Sequence, residues 1–251
     1  MKTITVFNQK GGVGKTTTVV NLAAGLARRG KEVLVVDMDP QGNATSGLGV
    51  SKERERTIYD LILGEATFDE VKTESSREGV TVIPASSDVA GLEVELAREG
   101  QWQYKLREAL QGAEADFVFI DSPPSLGILS LMSLVASDSI LIPVQCEYYA
   151  LEGVGALLET INLVRENFYD GLQVEGVLMT MYDGRTNLGM QVVEEVKNFF
   201  ENRVYKTLIP RNVRLAEAPS YGEDIFAYEE KSKGAQAYEA FVQEFLERQE
   251  G

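Results

Sequence analysis

Two lysines in a glycine-rich stretch, Asn8-Gln9-Lys10-Gly11-Gly12-Val13-Gly14-Lys15-Thr16-Thr17, are the residues of this sequence best suited to chemistry. The three glycines let backbone N–H groups from Gly11 to Thr17 close around a phosphate with no β-carbons in the way. A helix opening behind them adds a favourable field for negative charge. Lys15 then suits phosphate and the Thr16 hydroxyl suits magnesium directly. The common pattern G-x-x-x-x-G-K-[ST] asks for glycine where this chain has Gln9, and a second lysine, Lys10, stands next to it. The plain alternative, a glycine-rich turn with two solvated lysines, fits poorly with the apolar run Ile4 to Phe7 before the stretch and the helix-forming sequence after it.

Acids at the ends of later apolar runs fit the same chemistry. Glu32-Val33-Leu34-Val35-Val36-Asp37 is a continuous β-branched run of the kind buried on both faces of a parallel sheet, and it delivers Asp37 and then Asp39 at its end. Phe117-Val118-Phe119-Ile120-Asp121 does the same for Asp121, and Ser122-Pro123-Pro124 then turns the chain. Open parallel sheets bind ligands at the carboxyl ends of their strands, and magnesium phosphates need nearby oxygens to hold water ligands. Solvated loop acids are the bland reading of each carboxylate alone; the phosphate loop makes it the weaker one.

The elements that must position these residues follow from periodicity. Val19, Val20, Leu22, Ala23, Leu26 and Ala27 recur at helical spacing, with Gly30 where a helix commonly ends. Further strands are expected at Val80–Pro84, Ser139–Val144, Glu175–Met181 and Val204–Ile209, and a long helix at Leu151–Phe168. Residues 51 to 79 read as surface helices without chemistry. Ala90–Ala97 carries apolar residues with acids between them, and Trp102, Tyr104, Leu106 and Leu110 anchor the next helix, Trp102 as a core residue rather than a ligand platform. Strands alternating with helices predict an α/β fold: one domain, residues 1–251, with a doubly wound, mostly parallel sheet and helices on both faces.

Composition closes off other chemistries. The net charge is -15 and there is no histidine, which excludes histidine catalysis and histidine metal sites. The single cysteine, Cys146, excludes an intrachain disulfide or a CxxC motif and reads as a small buried apolar residue. No charged-then-apolar leader and no bilayer-length run are present, so a soluble cytoplasmic protein is expected.

The string KGGVGKTT resembles the deviant Walker A motif of the P-loop NTPase family that includes the partition ATPase ParA (Soj) and the division-site protein MinD. The resemblance implies that Lys10 reaches across a nucleotide-sandwich dimer to the partner's phosphates, so that ATP-bound homodimers are needed for hydrolysis. Asp39-containing DMDPQGNATSGLG resembles the family's switch I, implying that Asp39 positions the attacking water and Asp37 supports the magnesium shell through water. IDSPPSLG resembles the switch II segment, implying that Asp121 also meets magnesium through water; Ser122 stands where the family often has cysteine. Loops after the last two strands enclose the adenine in that family, which makes Thr180, Met181, Pro210 and Asn212 candidate base contacts, Thr180 equally an ordinary strand residue. The missing NKxD signature favours ATP over GTP.

IPRNVRLAEAPSYG resembles the chromosomal members most closely, in which arginines of these regions contact DNA nonspecifically once the dimer has formed. Arg185 and Arg214 are the first candidates by that resemblance, Lys231 and Lys233 the second. Nonspecific binding ordinarily needs a basic footprint, and the acidic balance of the whole chain opposes one. The acid-free stretch RVYKTLIPRNVR supplies a local patch, although its basics would suit any ordinary surface. A ParB-type centromere-binding protein is the implied stimulating partner, and the nucleoid the implied location. A MinD-like membrane protein, or an adaptor for another cargo, is the alternative. The tail AYEAFVQEFLERQEG, rich in glutamate, argues against membrane binding, and its Tyr238, Phe241, Val242, Phe245 and Leu246 are expected to pack on the domain.

Overall fold

A computed structural model of the chain describes residues 1–147 and 150–250, with the backbone alone for residues 150–152 and 187–188. Eight strands form one sheet: β1 (Lys2–Val6), β2 (Val33–Asp37), β3 (Thr73–Glu74), β4 (Val80–Ile83), β5 (Phe117–Asp121), β6 (Ser139–Gln145), β7 (Gln173–Tyr182) and β8 (Val204–Pro210). Their spatial order is β3-β4-β2-β5-β1-β6-β7-β8, parallel throughout except for the short edge strand β3, which runs antiparallel to β4. The doubly wound sheet expected from the sequence is the one observed. Strand β3 was not expected, because two residues in a charged stretch carry no periodicity.

The apolar runs are continuous because both faces of the sheet are covered. Along β5, Phe117 and Phe119 enter one core while Val118 and Ile120 enter another; along β2, Val33 and Val35 part from Leu34 and Val36 in the same way. The period-two alternation of a strand is thus present but hidden, since each side chain finds apolar neighbours. Helices Lys15–Ala27 and Lys233–Glu250 cover the first face. Helix Ile128–Ala136 and the short helices between Ile58 and Ala109 cover part of the second, and helices Ala150–Asn167 and Asn187–Phe200 cover the rest.

The C-terminal helix has its apolar stripe inward: Tyr238, Phe241, Val242 and Phe245 are buried, as expected from the sequence. It also closes the sheet edge. Glu244 accepts hydrogen bonds from the N–H groups of Lys206 (2.7 Å) and Thr207 (2.9 Å) on β8, and Arg248 donates to the carbonyls of Arg203 and Val204. Edge groups satisfied in this way cannot template another strand. The region around Ala90–Ala97 is a run of single turns from Ser87 to Arg98. One local expectation differs. Cys146 is half-buried, because it stands just beyond the mouth of β6 with its N–H donating to the Thr180 carbonyl. Trp102 packs partly buried against the second core. Among the described residues no helix is long and apolar enough to cross a membrane.

Candidate nucleotide-binding and hydrolysis site

Strand register assembles the acids. Val6 on β1 and Asp37 on β2 both pair with Asp121 on the intervening β5, so the glycine-rich loop leaves β1 directly beside two strand-end carboxylates. Gly12 and Gly14 have φ of 73° and 93°, a left-handed backbone that side-chain-bearing residues rarely adopt, and Gly14 is the N-cap of helix Lys15–Ala27. The loop N–H groups from Gly11 to Thr17 therefore sit at the positive end of a 13-residue helix. Asn8 fixes the loop's entry: its side chain donates to the Pro143 carbonyl (2.8 Å) and accepts from the Lys10 N–H (2.9 Å). Thr180 fixes its exit, donating from its hydroxyl to the Val13 carbonyl at 2.8 Å.

The two lysines point to different places. Lys15 is buried and folds back over its own loop, with Nζ donating to the carbonyls of Asn8 (3.0 Å) and Lys10 (3.2 Å). Burial lowers its pKa from the ordinary lysine value, opposed by the charges of Asp121 and Asp39. Lys10 turns outward, and its Nζ lies 3.5 Å from the Glu147 carboxylate at the rim. Arg211 approaches the same carboxylate at 3.5 Å.

Three acids face this loop with different environments. Asp121 is fully buried; one carboxylate oxygen accepts from the Thr16 hydroxyl at 2.7 Å, and the other has no partner among the described residues. Burial and the neighbouring Asp37 charge push its pKa well above the ordinary carboxylate range. Asp37, also fully buried, accepts from the Thr45 N–H (2.8 Å), the Thr45 hydroxyl (2.7 Å) and the Asp39 N–H (3.1 Å). Burial still raises its pKa to about 6 against those hydrogen bonds. Asp39 is half-buried and accepts from the Gln41 N–H at 2.9 Å. An orphaned carboxylate oxygen next to a threonine hydroxyl, in a pocket of negative charge, fits a divalent cation whose remaining ligands are water and phosphate. Among the described residues no group of three acids or thiolates forms a cage by itself, which suits magnesium, a cation that keeps waters and takes few protein ligands.

Beside the loop lies a largely apolar cavity of about 370 Å³, lined among others by Gly14, Met181, Pro210, Asn212 and Tyr238. It has the dimensions and walls of a small-ligand site. Of the four candidate base contacts, Met181 and Pro210 line it from the ends of β7 and β8, and Met181 has a positive φ of 51°, a strained backbone at the rim. The Arg211 N–H donates to the Tyr182 carbonyl, joining the two rims. Asn212 lines the cavity too, while its Oδ1 accepts from the Arg214 N–H and so caps the following helix, Val213–Glu217. Thr180 lies at the floor, 2% exposed, its hydroxyl turned to Val13.

The remaining candidates lie beyond the ends of β7 and β8. Arg185 is 88% exposed and holds Asp183 through Nε (2.9 Å) and Nη2 (2.7 Å). Arg214 holds Glu217 at 2.7 Å. Lys231 and Lys233 are exposed near the start of the C-terminal helix. Sequence reasoning missed Asn8, Thr45 and Glu147. Only Asn8 had a readable signal, an Asx side chain just past a strand, where such residues bond the backbone two positions on.

A glycine-rich loop between a parallel strand and a helix, with acids at the neighbouring strand ends, defines a P-loop nucleotide-binding protein of the doubly wound kind. Comparison with known proteins is more specific. The AAA domain family matches residues 1–174. The sporulation initiation inhibitor protein Soj of Bacillus subtilis is 53% identical over 240 residues, spanning 94% of this chain and 95% of that protein. The chromosome-partitioning ATPase Soj of Thermus thermophilus is 49% identical, over 99% of this chain and 96% of its own length. Cobyrinic acid a,c-diamide synthase from Mycobacterium smegmatis, solved with bound ADP and magnesium, superposes with a TM-score of 0.87 at 36% identity over 100% of this chain and 96% of that one. The chain belongs to the ParA/Soj family of chromosome-partitioning ATPases.

Proposed function

We propose that this protein is a dimerising ATP switch of chromosome or plasmid partition: its ATP-bound homodimer holds double-stranded DNA without sequence preference, and hydrolysis dissolves the dimer. The observation that carries this reading is the divergence of the two lysines, Lys15 folded over its own loop and Lys10 turned out to the rim beside Glu147. A lysine aimed away from its own phosphate loop is free to serve a second one. In the assembled site the loop N–H groups and Lys15 hold the phosphates, Asp39 orients the attacking water, and Lys10 of the partner subunit neutralises charge as the bond to the leaving phosphate breaks. Phosphoryl transfer requires mainly positioning and electrostatics of this kind. Magnesium, present with ADP in the solved M. smegmatis relative, would neutralise phosphate charge here, held by Thr16 directly and by Asp37 and Asp121 through water. Met181, Pro210 and Asn212 enclose the adenine.

DNA meets Arg185 and Arg214, with Lys231 and Lys233 at the margin, so the protein rides the nucleoid in the cytoplasm. A ParB-type centromere-binding protein stimulates the slow basal turnover. Dimerisation doubles the arginine patch, and screening over roughly 8 Å at physiological salt limits what distant acids subtract from it. The test is DNA retention by the purified protein across a salt series, with ATP, with ADP and without nucleotide, alongside flotation with anionic vesicles. Retention only with ATP, falling steeply with salt, is expected. Equal binding by the nucleotide-free protein, no binding by the ATP dimer at any salt, or ATP-dependent vesicle flotation in place of DNA retention overturns the reading. Arg185→Glu should weaken retention while leaving the dimer intact.

A further inference from the structure

Both arginines assigned to DNA are already occupied. Arg185 grips Asp183 with a two-pronged fork, 2.9 Å and 2.7 Å, and Arg214 grips Glu217 at 2.7 Å. A guanidinium presents the same planar fork to a carboxylate as to a phosphate, so each carboxylate competes with DNA for the donors it already holds and offsets the charge a phosphate would meet. We infer that Asp183 and Glu217 are competing anions for the DNA-binding arginines, intramolecular stand-ins for phosphate that set how weakly the protein holds DNA. The inference rests on the DNA-binding reading above and names what tunes it.

The pairs are built to open without disturbing the fold. Each is local: Asp183 lies two residues before Arg185, and Glu217 three residues after Arg214 on one short helix. The arginine side chains are 88% and 52% exposed, so they swing into solvent rather than out of a core. Other donors hold each acid in place when its arginine leaves. The Arg185 backbone N–H donates to Asp183 at 3.1 Å, and the Tyr228 hydroxyl donates to Glu217 at 3.2 Å. The arginine fork holds the Asp183 carboxyl down at about 2, so this acid stays ionised across the physiological range and pH does not open the pair. Arg211, 66% exposed, also faces this loop from the end of β8 and adds to the pull on Asp183.

Release therefore depends on the density of competing anions. Duplex DNA offers a charge about every 1.7 Å of axis, which a single carboxylate does not match. Each arginine exchanged costs one intramolecular pair, and a lone protomer exchanges few. A dimer makes the later exchanges intramolecular, so the gain accumulates while each pair's cost stays fixed. The acid partners thus sharpen the dependence of DNA retention on dimerisation, and a strongly acidic chain avoids sticking to nucleic acid as a monomer.

The experiment is DNA affinity of the full chain with ATP at one fixed salt for the wild type, Asp183→Asn, Glu217→Gln and the double variant. Asparagine and glutamine keep an oxygen for the Arg185 N–H and the Tyr228 hydroxyl, so the local turns survive, and unchanged ATPase without DNA verifies it. Exposed ion pairs of this type predict about a two- to fivefold tightening for each single variant, with retention by the nucleotide-free double variant rising above wild type. The gain from Asp183→Asn must vanish in an Arg185→Ala background; a gain that persists there reflects simple loss of negative charge and overturns the inference. Glu114→Gln, at the opposite end of the sheet, should change nothing. If the wild-type ATP dimer binds DNA and neither variant binds tighter, this inference fails alone; if the wild-type dimer binds no DNA at any salt, the reading beneath it fails as well.

Discussion

Replacing Thr180 by valine separates the loop brace seen in the structure from the base contact that the family resemblance implies for this position. The side chain is 2% exposed, its hydroxyl donates to the Val13 carbonyl at 2.8 Å, and its methyl lies 3.7 Å from where a β-carbon on Gly14 would stand. Valine copies the shape and deletes the donor. A buried carbonyl deprived of its partner costs about 1–3 kcal/mol. That energy falls on the turn that shapes the phosphate cradle, so it is expected largely in nucleotide affinity. At 1.4 kcal/mol per tenfold, the Kd for ATP should rise roughly five- to hundredfold.

Calorimetric titration with ATP and with GTP, beside thermal unfolding of the nucleotide-free protein, reads the effect. A brace acts on the phosphates, so both nucleotides should weaken by the same factor, and Thr180→Ser, which keeps the donor, should stay near wild type. An unchanged ATP Kd in Thr180→Val would refute the brace. Loss confined to ATP, with GTP unaffected, would instead make Thr180 a base contact.

The catalytic assignments can be tested by mixing. Asp39→Ala should retain ATP and the dimer but release no phosphate, Lys10→Ala should also be inactive, and the two together should recover turnover, because one site of the mixed dimer has its own Asp39 and the partner's Lys10; no recovery would refute action across the dimer. The acids also predict a pH dependence. Asp37 moves from 3.8 unfolded to about 6 folded, so its protonated form favours the fold below the unfolded value, and that contribution, about 3 kcal/mol at most, is lost as pH rises through 6; Asp121 acts in the same direction. Relative to Asp37→Asn, the melting temperature of the nucleotide-free wild type should therefore fall between pH 4 and pH 7, and a constant difference would remove the burial argument.

What was legible in the sequence was whatever lies close together along it. The phosphate loop, the strand-end acids and the apolar stripe of the C-terminal helix are local patterns, and the buried strands announce themselves because both of their faces must be apolar. The braces were not legible. Thr180 stands 167 residues from Val13, and Glu147 stands 137 from Lys10; no local pattern identifies such partners, since a threonine in an apolar strand run looks like any strand residue. Cys146 shows the same limit, its residue type favouring burial and its place at a strand mouth deciding otherwise. The edge strand β3 exists only because β4 offers it a partner.

The strand order has a consequence for coupling that the motifs alone do not show. β7 and β8 end beside the apolar cavity, and the segments that follow them carry Arg185 and Arg214. Met181 lies two residues before Asp183, the partner of Arg185, and Asn212 both lines the cavity and caps the helix that bears Arg214. The Arg211 N–H bond to Tyr182 then ties the two loops to each other. On the proposed function, a base seated in the cavity would touch the roots of both arginine-bearing segments within a single protomer. Nucleotide occupancy would then bear on how the arginines are presented before any second subunit arrives.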